Sequence, residues 1–436
     1  MTFKRSMCAV LLCCVALCAQ AAKPKSPPQA KPAAVPAGPL EFVHQLAPDA
    51  AAQLQKMVNR YNAGNPKRKI ELLERKFDPA AVDKLPALMI LDEDHASSAG
   101  SGRLKVKPIH QLMREAGATL ETLKPPAQMS PASLDSAGHL VGLPVGLETP
   151  VMYINRNAFK KAGLNPDDPP KTWWDLQTAL GALRDAGSAC PYTSARPVWV
   201  HLENMSAWHN EPFAAGRGGQ DGPLAVNGLV QIKHLALLAS WYKSRYLRLF
   251  GHEDQAVEQF VKGDCQVLTA ASSVYPSLRH EAGFDLSVAR LPYYDDVRGA
   301  PQNTLASGAA LFAAAGLSRD DYKGVAAFVK FLLEPESQVE WQRETGFLPL
   351  NRAGLLAATQ SSLLKDDFAS IKVAIDQLTN KPATGASSAS RYAERADVRQ
   401  ILDDALDELW SDRKPAKQAL DDAVQRTQPT RATAKR

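Results

Sequence analysis

Between Leu40 and Leu91 the chain alternates between two hydrophobic periodicities, and this alternation narrows the accessible folds more than any other feature. Leu40-Glu41-Phe42-Val43 reads as a strand. Residues 50–61 place Ala51, Leu54, Met57 and Val58 at helical spacing, Asn62, Gly64 and Pro66 stop that helix, and residues 69–73 read as the next strand. A helix with one apolar stripe buries it against the sheet its flanking strands build, which predicts an α/β layer with a parallel sheet. Strands recur at 85–91, 150–154 and 265–271, and helices are expected at 173–186, 224–243, 254–262, 323–333, 337–344 and 398–410. A chain of 436 residues, 45% hydrophobic and 22% charged, has the length for two lobes of ordinary domain size. No internal repeat of 20 to 50 residues is visible.

The first 21 residues combine Lys4 and Arg5 with an apolar run from Met7 to Leu17 and a small-residue site at Ala19-Gln20-Ala21, the pattern of a cleaved secretory signal. The rival, a lipid anchor on Cys18, is disfavoured by Leu17 before it. No later stretch approaches 18 uninterrupted apolar residues. Residues 22–39 hold six prolines and almost no large apolar side chain, a semi-rigid tether. Without Lys4 and Arg5 the 51 basic residues become 49 against 46 acidic ones, too even a balance to argue for nucleic acid. Four cysteines leave with the signal. For the remaining pair, Cys190 and Cys265, a disulfide and two buried thiols both stay open, because spacing does not place two Cβ atoms.

Catalytic motifs are missing. There is no HExxH, no GxxxxGK[ST] phosphate loop, and no CxxC in the mature chain. Gly216-Arg217-Gly218-Gly219 follows no strand and opens no helix, so it reads as a loop. His201, Glu203 and His209 lie close together but match no metal-ligand spacing. No enzyme, cofactor or metal centre is expected.

Longer stretches are more specific: QFVKGDC leading into QVLTAASS, WQRETGFLP, GLNPDDPPKTWWDL, LENMSAWHNEPFA, TPVMYINRNAFKKAGL and APQNTLASGAAL. Together these resemble the periplasmic glycerol-3-phosphate-binding proteins of ABC importers, within the extracellular solute-binding family that includes maltose-binding protein. The resemblance runs from about Phe42 to Gln425 and is closest from Pro144 to Pro349. It implies a two-lobed α/β fold with three hinge crossings, near Thr149-Pro150, Asn303 to Ser307 and Phe347-Leu348. The lobes would be 40–148 with 304–346, and 149–303 with 347–425, followed by a basic tail at 426–436. It further implies a monomeric periplasmic protein that hands a small-molecule ligand to ABC permease subunits in the inner membrane.

Carried over by position, the resemblance makes Glu93 the acidic residue that engages glycerol, Gly308 the amide and Arg399 the arginine that hold phosphate, and Trp173 a pocket aromatic. The sequence departs from the pattern elsewhere. The hinge serine is Glu148, the serine after GDC falls on Ala271 with Ser272 behind it, the tyrosine of the third crossing is Phe347, and a further tyrosine between Leu73 and Pro86 has no counterpart. Each lost hydroxyl removes a charge-assisted hydrogen bond of roughly 1.5 to 3 kcal/mol. An unpaired Glu148 would repel phosphate by about 4 kcal/mol at 4 Å and an effective dielectric of 20.

Two arrangements relieve that repulsion: Glu148 pairs with Arg399, or Arg196 supplies a second cation. The plainer readings make Glu148 a solvated hinge residue, Trp173 a core residue behind the helix cap Thr172, and Phe347 hinge packing. Two alternatives follow: the same transport role for an oligosaccharide or choline-like solute held on Trp173 and Phe347, or a ligand sensor docking on a membrane receptor.

Overall fold

The computed structural model describes residues 38–428 apart from 75–77, 80, 83, 93–94, 97–98, 100–101, 103, 121–132, 136, 217–221 and 389–394. Glu93, the expected signal peptide, most of the tether and all of the tail beyond Gln428 therefore lie outside the described residues.

Ten strands among the described residues are β1 (Leu40–His44), β2 (Ile70–Glu74), β3 (Leu88–Leu91), β4 (Val106–Lys107), β5 (Pro150–Asn155), β6 (Cys190–Ser194), β7 (Leu247–Arg248), β8 (Cys265–Ala271), β9 (Leu286–Ala289) and β10 (Ala310–Ala314). They build two five-stranded sheets, in the orders β2-β1-β3-β10-β4 and β7-β6-β8-β5-β9. The expected parallel sheet is corrected to a mixed one. β1 is parallel to β2 and β3, and β6 to β7 and β8, but β10 and β5 each run antiparallel to both neighbours. β3 ends at Leu91 opposite Ala310, where β10 begins, and β8 ends at Ala271 opposite Pro150, where β5 begins. Parallel strands thus finish at the seam between sheets, and a strand entering a sheet from that seam must run the other way.

The helices start where side chains satisfy their open amides. Thr172 and Asp175 form a reciprocal capping box for Trp173–Asp185, as Ser318 and Asp321 do for Arg319–Leu332, while Asn155 and Asn351 cap Arg156–Lys161 and Arg352–Gln360. In the first lobe Pro48–Gly64 and Arg319–Leu332 close over the sheet, and Tyr61 and Phe42 meet Phe328 edge-on at 5.1 and 5.7 Å. In the second, Trp173, Tyr192, Trp241 and Tyr294 form an aromatic core, with Leu402, Leu406 and Leu420 of the Ala396–Trp410 and Ala416–Thr427 helices packed on it. Cys190 and Cys265 sit opposite each other on β6 and β8 and form a disulfide, with Cα atoms 4.5 Å apart.

Three chain segments cross the seam side by side. Leu143, Gly146 and Glu148 donate to Leu311, Ala309 and Ser307 across an antiparallel ladder, and Leu348 N donates to Leu147 O at 2.7 Å. Thr149 Oγ1 lies 2.8 Å from Thr304 Oγ1 and 2.9 Å from Leu305 O. Gln377, on Phe368–Leu378, braces the seam by donating to Pro150 O and accepting from Leu291 N. Arg352–Gln360 leans instead on Pro335–Thr345 in the first lobe, through Ala358 and Val339, with Leu364 packed in the same cluster. The approach of the crossings demands glycine at one point: Gly308 has φ 122°, and a Cβ there would stand 1.7 Å from Gly146 O.

Candidate functional site

Glu148 leaves the first crossing beside the end of β8 and is only 7% exposed, so it is not a solvated hinge residue. Each of its carboxylate oxygens has a partner. Arg196 Nη2 stands 2.7 Å from Oε1, and Ser273 Oγ donates to Oε2. Burying a charge is costly unless it is paired and hydrogen-bonded, and both conditions are met here. The partner is thus Arg196, rather than the Arg399 weighed from the sequence. Arg196 itself sits in the left-handed region at φ 43°, its amide bonded to Glu253 O at 3.0 Å. Its guanidinium lies 4.1 Å from the ring centroid of Trp199, and Nε stands 3.3 Å from Asp254. Burial pushes the Asp254 carboxyl up, with Arg196 opposing that shift.

Arg196 and Trp199 line a small cavity of about 40 Å³ together with Glu203, Phe213, Glu253, Arg399 and Asp403. Arg399, on the first turn of Ala396–Trp410, therefore lines the same cavity as Arg196, the partner of Glu148. Asp403, one turn on from Arg399, has its carboxyl raised to about 6, chiefly by burial and against the pull of His252. The cavity lining thus carries two guanidinium groups, several carboxylates and two aromatic rings.

The remaining predicted positions fall elsewhere. Ala271 is 1% exposed inside β8, and the hydroxyls at the strand end belong to Ser272 and Ser273. Ser272 Oγ accepts from Thr149 N at 3.3 Å, which ties β8 to the first crossing. Trp173 is 2% exposed and packs on His234 at 4.5 Å, with His201, Trp241 and Tyr294 around it, a core position away from the cavity wall. The aromatic beside the charges is Trp199, on a π-helical turn, Trp199–Asn204, that periodicity did not signal. Phe347 stacks on Trp341 at 6.0 Å along the third crossing, and Gly308 lies in the second. Ser273 was missed, although the paired serines of TAASSV were the signal.

His201 and His209 have both ring nitrogens engaged by protein. His201 bridges Tyr192 OH and His234 Nε2, each at 3.1 Å. His209 bridges Met205 O at 2.7 Å and Tyr294 N at 2.9 Å. Burial takes their pKa values down to about 3 and about 4, so they are neutral structural groups. A larger cavity, about 340 Å³, lies beside the third crossing between Tyr153, Tyr275, Arg279, Gly346 and Leu364, and shares only Ser272 with the predicted set.

The sequence model of the bacterial extracellular solute-binding protein family matches residues 56–367. The sn-glycerol-3-phosphate-binding periplasmic protein UgpB of Yersinia enterocolitica is 34% identical over 388 residues, 86% of this chain and 88% of that protein. Its Salmonella typhimurium counterpart is 33% identical over the same shares. Among solved structures, UgpB of Mycobacterium tuberculosis in complex with glycerophosphocholine superposes with a TM-score of 0.73 over 90% of this chain and 98% of that one, at 18% identity. Maltose-bound MalE3 of T. maritima gives 0.69 over 89% and 98%, at 14% identity. Family match, curated relatives and two-lobed architecture agree, and this chain belongs to the bacterial extracellular solute-binding proteins.

Proposed function

We propose that this protein is the periplasmic substrate-binding component of an ABC importer, taking glycerol-3-phosphate or a glycerophosphodiester and presenting it to the permease as a monomer. The observation that carries this reading is the pairing of Glu148 with Arg196 and Ser273. It gives the substituted hinge carboxylate a guanidinium and a hydroxyl as partners, which weakens its repulsion of a phosphate, and Arg399, lining the cavity that Arg196 also lines, is the counter-charge we assign to the phosphate. Relatives named for sn-glycerol-3-phosphate binding support the ligand class. The carboxylates Glu203, Glu253 and Asp403, set among Trp199 and Phe213, favour a diester with a cationic head group, since ring faces and carboxylates together suit a choline-like cation. No catalytic step belongs to this reading.

The moving bodies we assign are 40–148 with 304–346, and 149–303 with 347–425, the Arg352–Gln360 helix riding on the first. Shifting such a pair from 1% to 99% closed needs about 5.5 kcal/mol of preference for the closed form, so the ligand must contact both. Glu93 and the Gly308 amide serve the first body, Arg399 and Trp199 the second. Small-angle scattering tests this directly: millimolar glycerol-3-phosphate should contract the wild-type protein and leave Arg399→Ala extended. Equal contraction of both, or of neither, contradicts the reading.

A further inference from the structure

Outside the lining of the seam cavity, the turn before the first crossing brings two imidazoles and a carboxylate together. Leu134 and Leu140 pair across a tight antiparallel turn that carries Asp135 and His139, and the turn docks on Ile109–Glu115, where Ile109 N and His110 N donate to Val141 O and Leu140 O at 3.0 and 3.1 Å. This docking stacks the His110 ring on the His139 ring, with centroids 4.9 Å apart. One ring nitrogen from each histidine and one Asp135 oxygen lie within 4.8 Å of one another.

We propose that His110, Asp135 and His139 form a Zn²⁺ site. Three features of the surroundings are those a divalent transition ion requires. Asp135 Oδ1 accepts from the amides of Ala137 and His139 at 2.9 and 2.8 Å, which fixes the carboxylate and turns Oδ2 toward the His139 ring. Oδ2 and His139 Nδ1 are 3.2 Å apart, close to the roughly 3.3 Å edge of a tetrahedron built on zinc–ligand bonds of about 2.0 to 2.1 Å. His110 Nδ1 stands 2.9 Å from Leu140 O, and the tautomer that donates there leaves the Nε2 lone pair for a metal, the backbone-oriented arrangement that ligating histidines adopt.

With three protein ligands at a half-exposed position, the fourth place belongs to water. The ion clips the 134–140 turn to the Ile109–Glu115 helix. Leu143, three residues on, begins the ladder of the first crossing, so the clip stiffens the root of the hinge. This inference is independent of which solute the seam cavity takes.

The test is a Zn²⁺ titration of the tag-free mature protein against a chromophoric chelator, repeated for His110→Ala, His139→Ala, the double variant, and a His95→Ala control. The expected result is one ion per chain in wild type and control, at least tenfold weaker binding in each single variant, and none in the double. Circular dichroism of each variant confirms that it is folded, and Co²⁺ supplies a second readout through the ligand-field absorption of a tetrahedral ion. Wild-type affinity in the double variant, or no binding by the wild-type protein at 100 µM Zn²⁺, overturns the assignment.

Discussion

The two lobes use one plan and fill it differently. Each sheet has five strands, with one strand antiparallel to its neighbours entering from the seam. The first lobe packs it with an apolar core, Phe42, Leu54, Met57, Tyr61 and Phe328. The second runs a polar chain through its core, in which Ser194 and Thr269 hydroxyls are 2.9 Å apart, Thr269 and Tyr192 2.7 Å, and Tyr192, His201, His234 and Tyr294 follow at 3.1 Å per step. A disulfide closes the opposite end of the same two strands. Apolar packing tolerates repacking, whereas a fully satisfied buried network accepts one arrangement. The strands pinned in this way, β6 and β8, lead directly to Arg196 and Ser273, the two partners of Glu148. The constraint in the second lobe lies where the charged cluster needs fixed positions.

The comparison breaks most readily at the disulfide. It closes a loop of 75 residues, so Cys190→Ser with Cys265→Ser should lower stability by about 4 to 5 kcal/mol on the chain-entropy estimate, read from urea midpoints. An unchanged midpoint would mean that the covalent link adds nothing to the hydrogen-bonded network.

Acid is the next lever. Burial lowers the pKa values of His201 and His209 to about 3 and about 4, and that of His234 well below its usual value. Below pH 6.5 the unfolded chain binds protons that the folded one refuses, so their stabilising contribution is complete above pH 6.5 and is lost as pH falls toward 4. Between pH 6.5 and 5 the loss is at most about 2 kcal/mol each for His201 and His209. His201→Gln should flatten the acid limb of a stability–pH curve, and an equally steep curve in that variant would remove the network from the account.

Helix ends should show the smallest effect and no difference between lobes. Thr172→Ala in the second lobe and Ser318→Ala in the first each delete a capping box and should each cost about 1 kcal/mol by thermal melting. A marked inequality would mean that the lobes differ in more than their cores.

Much of the fold was legible from local chemistry. The Cys265–Ala271 strand and the Trp173–Asp185 helix were bounded by the Gly263-Asp264 turn and by Thr172. The expected 224–243 helix begins only at Leu229, because Leu224 pairs with Ala214 and Gly228 takes the cap. The expected 323–333 helix starts earlier, at Arg319, where Ser318 and Asp321 give a start signal that apolar spacing misses. The sheet direction misled because crossing strands look like any other apolar run. At the site, Glu148 stood out as an anomaly, but its partners lie 48 and 125 residues away, and only the folded sheet brings them together. Trp173 has the sequence surroundings of a pocket aromatic and the location of a core residue, because its helix turns that face inward.

The central claim is that a phosphate-bearing glycerol compound enters beside the Glu148–Arg196 pair and is held by Arg399. Calorimetric titration of residues 22–436 with glycerol-3-phosphate and with glycerophosphocholine measures it most directly. The account predicts saturable binding of at least one of them, at about micromolar Kd or tighter, lost in Arg399→Ala while that variant stays folded. No heat from either compound at millimolar concentration, or binding that Arg399→Ala leaves unchanged, would contradict it.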